Sequence, residues 1–261
     1  MTPYAEGALE LRVDGRLATL TLNRPAARNA LNLAMWRGLP NAVAAVAADA
    51  SIRVLIVRGA GGHFASGADI SEFPEVFADR QTAGDYARLI EVATGALETL
   101  KIPVIALIEG YCIGAGLAIA LACDIRIAAG NARLGAPPAK LGLIYSLGDT
   151  RRLVNAVGPS AAKAMLFSAA LHPATEALRL GLLDEVYPAD ALEAAVAAKA
   201  QGMAALSRWS IATTKAVVGL VLEGQSTDTD ETRDLFVDGA TGPDLAEGLA
   251  AFRERRPPVF P

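Results

Sequence analysis

The sequence predicts an α/β fold on three observations. Residues 9–13 and 17–22 alternate apolar and polar around Asp14-Gly15, a pair that supplies the positive-φ turn of a hairpin. Two apolar runs, 52–58 and 104–109, are each followed by a turn of small residues, as buried strands feeding helices should be. From residue 189 onward the pattern is helical throughout. With 261 residues and 52% hydrophobic content, the chain can bury a substantial core.

After the hairpin, a helix is predicted over 31–48, with Gly38 and Pro40 giving a kink or a late start. The buried strand 52–58 leads into the turn His63-Phe-Ala-Ser-Gly-Ala-Asp-Ile70. Residues 73–82 show no period and read as a mobile lid or pocket wall over that turn. Residues 86–100 form an amphipathic helix. Strand 104–109, helix 116–122 and strand 124–128 come next. Helices are then predicted over 149–156, with Asp149 as N-cap, and over 159–169. Another starts at Pro173 and stops at Gly181, and Val186 belongs to a last short strand.

Composition excludes several classes. A formal charge of −4 argues against a general nucleic-acid binder. The first residues, Met-Thr-Pro-Tyr-Ala-Glu, lack the basic start and apolar stretch of a signal peptide. The longest apolar run, about 111–123, is too short to span a bilayer. Cys112 and Cys123 sit in apolar surroundings and read as small core residues. His63 and His172 show no metal-ligand spacing. A cytoplasmic protein without membrane, nucleic-acid or metal partners is the simplest expectation.

Gly114-Ala115-Gly116-Leu117-Ala118-Ile119-Ala120 carries the most chemistry. Small residues at a helix start let a ligand approach the backbone. The first amides of a helix have no internal partner and carry the positive end of its dipole. That suits an anion, including an oxyanion formed during a reaction. Tight helix–strand packing is the alternative explanation of these glycines. A dinucleotide fingerprint fits less well, because Ile119 stands where a third small residue is needed. With the turn at 63–70, two small-residue turns after two buried strands can each direct an N–H at one oxygen.

Taken together, these segments resemble the enoyl-CoA hydratase/isomerase (crotonase) superfamily. The resemblance is carried by Asn23-Arg-Pro25, Asn29-Ala-Leu31, Phe64-Ala-Ser-Gly-Ala-Asp-Ile70, Gly110-Tyr-Cys-Ile-Gly-Ala-Gly116, Ala122-Cys-Asp-Ile125 and Leu141-Gly-Leu143. The tail, Glu247-Gly-Leu-Ala-Ala-Phe252 and Arg255-Arg-Pro-Pro-Val-Phe260, also fits. The resemblance implies a spiral of ββα turns over 1–200 that binds acyl-CoA. It implies a helical region, 201–261, for oligomerisation and site closure, with a homotrimer or dimer of trimers. Phe236, Phe252 and Phe260 suit such buried contacts, and ordinary intrachain packing explains them equally well. The substrate implied is a coenzyme A thioester, with no further cofactor. The amides of Ala68 and Ala115 would hold the thioester oxygen. Arg24, Arg28, Ala65, Ser66, Asp69, Ile70, Gly114 and Pro138 would surround the substrate, the two arginines near its phosphates. Both arginines read equally well as solvated surface residues.

The chain departs from the family pattern at the chemistry. The positions matching the two glutamates of family hydratases hold Ala118 and Pro138. Hydration needs a base for water and an acid for carbon, and neither residue moves a proton. Glu109, Asp124 and Asp149 remain nearby, with structural roles the better expectation for each; a hydratase or isomerase of altered mechanism would recruit Asp149, Glu109 or Asp69. Leu141-Gly-Leu-Ile-Tyr145, with Ala136-Pro-Pro-Ala-Lys140, resembles the methylmalonyl-CoA decarboxylase branch. Decarboxylation needs no base. A site glutamate would repel the substrate carboxylate by about 4 kcal/mol at ~4 Å and an effective dielectric of 20. Tyr145 is then the candidate proton donor, or a pocket aromatic that orients substrate. Where the known decarboxylase has a histidine in the first turn, this chain has Ala68.

Overall fold

In a computed structural model, described over residues 1–260, the chain forms ten strands and ten α-helices among the described residues. The strands are β1 (Thr2–Tyr4), β2 (Leu9–Asp14), β3 (Leu17–Leu22), β4 (Val54–Gly59), β5 (Val104–Ile108), β6 (Tyr111–Ile113), β7 (Ile125–Ala129), β8 (Arg133–Gly135), β9 (His172–Pro173) and β10 (Glu185–Tyr187). The helices are α1 (Leu33–Ala48), α2 (Phe73–Val76), α3 (Arg80–Thr99), α4 (Ala115–Ala122), α5 (Leu147–Ser168), α6 (Ala174–Arg179), α7 (Leu192–Ala204), α8 (Arg208–Leu222), α9 (Asp230–Thr241) and α10 (Pro243–Glu254).

Seven strands make one sheet in the order β1-β2-β3-β4-β5-β7-β10; β6-β8-β9 make a second. β2 and β3 pair antiparallel across Asp14-Gly15, and β3, β4, β5, β7 and β10 run parallel. The apolar residues of the central strands β4 and β5 are buried on both faces, as parallel strands require. Chain order repeats a simple unit. β5 lies in the large sheet, β6 in the small one, and α4 returns; β7, β8 and α5 do the same. The unit after β4 uses a single bridge, Ala65 to Cys112, in place of the small-sheet strand. This is the ββα spiral that the resemblance implied.

Four local expectations change. α1 runs unbroken through Gly38 and Pro40, starting at the Asn32 cap. Burial of Met35, Trp36, Leu39, Val43 and Val46 outweighs the one helical bond that Pro40 cannot make. Gly38 lets Ala5 pack against the helix, since a Cβ there would lie 3.0 Å from that of Ala5. Residues 73–82 are ordered structure rather than an aperiodic lid: α2 packs Phe73 against Phe77, and Phe77 against Tyr86. Asp79 and Thr82 then form a capping box that starts α3 at Arg80, ahead of the predicted 86. Ser146, not Asp149, caps α5; Asp149 stands in its first turn. The two helices predicted around residue 158 are one element broken at Gly158, whose φ is 76°.

The core has two parts. α1, α3, α4 and α5 cover one face of the large sheet. α7 covers the other, setting Leu192, Val196, Ala200 and Ala204 on Ile56, Ile105, Leu107 and Ile127. The boundary anticipated at 200/201 therefore falls inside α7. α8 and α9 bury no side chain, and α10 buries only Ala251. Phe236 and Phe252 are 78% and 83% exposed, which removes intrachain packing as the explanation of these two rings; Phe260 is half-buried. Cys112 and Cys123 are free and fully buried, and burial pushes the Cys123 thiol up to about 12. Among the described residues no helix is long and apolar enough to cross a membrane.

Candidate active site

The first turn leaves β4 and is fixed from both sides. Ala65 donates to Tyr111 O at 2.9 Å and accepts from Ile113 N at 3.0 Å, so both of its backbone groups are spent on β6. Ser66 donates its amide to Arg28 O at 3.0 Å and its hydroxyl to Ala27 O at 3.3 Å. Leu31 bridges Ala68: Leu31 N donates to Gly67 O, and Asp69 N donates to Leu31 O, both at 2.8 Å. That pattern uses the Gly67 carbonyl and the Asp69 N–H on one edge and leaves the Ala68 N–H on the opposite edge.

The second turn joins β6 to α4. Gly114 precedes the helix at φ 53°, ψ −116°, with no side-chain cap. That conformation suits glycine alone. Ala115 is the first helical residue, so its amide is one of the helix's unpartnered donors. The two turns are in contact. A Cβ at Gly114 would lie 3.8 Å from Gly67 Cα, and one at Gly116 would fall 2.6 Å from Ala65 O. Gly116 is what allows α4 to approach the first turn this closely. Tight packing, the alternative explanation of these glycines, is therefore real, and it is what brings the Ala68 and Ala115 segments together.

Tyr145 reaches this second turn from the loop before α5. Its hydroxyl donates to Gly114 O at 2.6 Å, an oxygen that also accepts Ala118 N at 3.0 Å. Burial, with Asp149 adding to it, raises the phenol well above its ordinary range. Its proton is thus committed to a peptide carbonyl. So placed, the hydroxyl is directed at the protein backbone, whereas both the proton-donor role and the substrate-orienting role expected of it need it turned toward a substrate.

No carboxylate stands in the hydratase positions. Ala118 is 2% exposed on α4, and Pro138 opens the short 3-10 turn Pro138–Leu141. The nearby acids are engaged elsewhere. Asp69 accepts from Ser71 and pairs with Arg24 at 2.9 Å; the serine first, then the arginine, hold it below the usual carboxylate range against burial. Glu109 meets Arg58 at 3.5 Å. Asp124 accepts from Val104 N and from Lys215, each at 2.8 Å. Asp149 accepts from Ser146 Oγ at 2.8 Å and Arg152 at 3.1 Å; burial nonetheless raises its carboxyl above the ordinary value.

The two arginines differ. Arg24 also donates to Ala30 O at 2.6 Å, so it braces the loop rather than facing solvent. Arg28 is exposed, at φ 48°, with its guanidinium 5.5 Å from the Tyr111 ring centroid. Ile70 is exposed at the end of the first turn.

Asn29, which the sequence marks as part of a family motif without a role, is the organising residue of this loop. Fully buried at φ 57°, it accepts from Arg24 N at 2.9 Å and donates to Ala60 O at 2.8 Å and His63 O at 2.7 Å. Its side chain ties the loop before α1 to the first turn. An Asn closing an Arg-Pro-x-x-x-Asn loop, where αL is tolerated, is the signal the sequence offers. Asn29→Ala strands these buried groups and is expected to cost about 3 kcal/mol, each unsatisfied group contributing ~1–3. Thermal unfolding should show a fall of roughly 6–12 °C.

Comparison with known proteins agrees with this architecture. Residues 12–261 match the family described as Enoyl-CoA hydratase/isomerase. The chain is 36% identical over 250 residues to 2,3-dehydroadipyl-CoA hydratase of Escherichia coli, covering 94% of this chain and 95% of that one. It is 35% identical over 256 residues to crotonyl-CoA hydratase of Syntrophomonas wolfei, covering 96% of each. An enoyl-CoA hydratase/isomerase family protein from Hyphomonas neptunium superposes with a TM-score of 0.94 at 39% identity, over 97% of both chains. DspI of Pseudomonas aeruginosa does so with 0.91 at 34%, over 97% of this chain and 96% of that one. With its ββα spiral and paired small-residue turns, the chain belongs to the enoyl-CoA hydratase/isomerase family of the crotonase superfamily.

Proposed function

We propose that this enzyme polarises an acyl-CoA thioester between the amides of Ala68 and Ala115, and that its reaction proceeds through the thioester enolate without a glutamate acid or base. The contact of the two turns carries this reading, together with Ala118 and Pro138 in the glutamate positions. A peptide donor in such a site is worth ~3 kcal/mol of transition-state stabilisation. Arg28, exposed beside Tyr111, is the better placed cation for the phosphates, because Arg24 is spent on Asp69 and Ala30.

Decarboxylation of a malonyl-type thioester asks least of these side chains. The Cα–carboxylate bond breaks, carbon dioxide leaves, and the electron pair passes into the thioester carbonyl as an enolate. The two amides hold the oxyanion, and the α-carbon then takes a proton that solvent can deliver. A second reading, hydration of an enoyl-CoA by a non-standard acid or base, draws on the hydratase names of the relatives and on buried Asp149. Against it, both Asp149 oxygens already accept hydrogen bonds.

Mass spectrometry separates the two. Malonyl-CoA, methylmalonyl-CoA and crotonyl-CoA are incubated in turn with the enzyme. Loss of about 44 mass units from either diacid thioester is the expected result. A gain of about 18 on crotonyl-CoA with no loss from the diacids would assign hydration instead. No turnover, with tight coenzyme A binding, would mark a non-catalytic acyl-CoA-binding homologue.

A further inference from the structure

We propose that Tyr145 is a positioning residue of the oxyanion hole: its hydroxyl fixes and polarises the Gly114–Ala115 peptide group, and so sets how strongly the Ala115 N–H holds a thioester oxygen. The inference rests on the oxyanion-hole reading above. Gly114 O and Ala115 N–H are the two ends of one peptide plane. There are no cis peptides among the described residues, so the N–H points away from the carbonyl. Whatever holds the carbonyl therefore aims the amide.

Two donors hold that carbonyl, Ala118 N at 3.0 Å and Tyr145 Oη at 2.6 Å. The first is the opening bond of α4 and comes with the helix. The second arrives from a loop 31 residues away and exists only because the tertiary fold brings it there. Restraint is needed at this point. The plane hangs from Gly114, at φ 53° and ψ −116°, and glycine resists rotation less than any other residue. Gly114 N donates to Gly135 O at 2.9 Å, which anchors the near side of the glycine but not the peptide beyond it.

Polarisation follows from the same bond. A donor on a peptide oxygen strengthens the N–H at the other end by roughly 10–30% in condensed phase. The phenol remains a donor at neutral pH, since burial raises it well above its ordinary range. A phenol acting as a proton donor to carbon would behave differently: its removal would leave the ground-state polarisation of a bound carbonyl unchanged.

The test uses butyryl-CoA labelled with 13C at the thioester carbonyl, which is saturated and has no carboxylate to lose. Isotope-edited infrared difference spectra report the carbonyl stretch in the bound state. Wild-type enzyme should lower it from its solution frequency. In Tyr145→Phe that shift should shrink by roughly 10–30% while the dissociation constant stays within about twofold. With the substrate that the mass assay identifies, kcat should drop about three- to tenfold at nearly constant KM. Site-specific 3-fluorotyrosine at position 145, a more acidic phenol and stronger donor, should enlarge the shift beyond wild type. An unchanged shift in both Tyr145→Phe and the fluorotyrosine protein overturns the inference while leaving the oxyanion hole standing. If Tyr145→Phe does not fold, the fluorotyrosine protein alone decides, and a wild-type shift there is a refutation. Absence of any shift in the wild-type enzyme overturns the oxyanion-hole reading itself.

Discussion

Gly116→Ala is expected to reduce turnover by about 10²–10³-fold, the loss typical when one oxyanion donor is misplaced. The added methyl would sit 2.6 Å from Ala65 O and 2.7 Å from Ala65 Cβ. Neither neighbour can yield cheaply. Ala65 is held to β6 through both its amide and its carbonyl, three residues before Ala68. The two turns must therefore part, which separates the Ala68 and Ala115 amides. Overpacking of this kind also costs stability, about 1–3 kcal/mol. Gly202→Ala in α7 is the control. A Cβ there meets nothing within 4 Å, and the position is exposed. Replacing an unconstrained helical glycine by alanine should stabilise by roughly 0.5–1 kcal/mol and leave activity unchanged. Parallel kinetics and urea denaturation of the two variants check both statements. Equal activity in Gly116→Ala and wild type would mean that the close approach of the turns has no part in catalysis.

Arg152→Ala is expected to lower stability by about 3–5 kcal/mol near neutral pH, the usual cost of breaking a buried ion cluster from one side. Arg152 is 9% exposed. It donates to Glu98 Oε2 at 2.6 and 3.0 Å, to Asp149 at 3.1 Å and to Thr94 at 3.2 Å. It thereby links α3 to the first turn of α5. Burial pushes Glu98 up, but Arg152 and then Arg151 override it and hold the carboxyl below its ordinary value. A depressed folded pKa gives stability that is present above the unfolded value and is lost as pH falls through the folded one. Asp149 works the other way: burial raises its pKa, so its charge weighs against the fold as pH rises past the unfolded value. Removing the guanidinium leaves Glu98 only Arg151 and Asp149 only Ser146, so burial weighs more heavily on both carboxylates. The penalty should therefore be largest near pH 7 and shrink toward about pH 4, where both groups take up protons. Urea denaturation at the two pH values measures it. A difference from wild type that is the same at both would show that Arg152 acts by packing rather than by charge.

Much of this protein was legible before any coordinate. The Asp14-Gly15 hairpin, the strands around 52–58 and 104–109 and the helix at 116–122 are written in short-range chemistry: alternation, apolar runs and small residues at turns. The capping box at Asp79 and Thr82 is equally local, yet the stretch before it lacks a helical period, so hydrophobic periodicity alone does not reveal the helix start. The second sheet escaped for another reason. β6, β8 and β9 are three, three and two residues long, too short to carry a period, and exist only because neighbouring turns of the spiral bring them side by side.

What the sequence alone determined is the family, the two small-residue turns and the loss of both hydratase carboxylates, because each of these is a matter of which residue stands where. Only the tertiary structure decided what the remaining polar groups do. The sequence offers Asp69, Glu109, Asp124 and Asp149 without naming their partners, and the fold makes each an engaged acceptor. Tyr145, which the sequence offers as a proton donor or a substrate-orienting aromatic, donates to Gly114 O. A side chain's identity sets what it can give or take, but its partner is chosen by residues tens of positions away, and in a buried site that partner determines where the proton points.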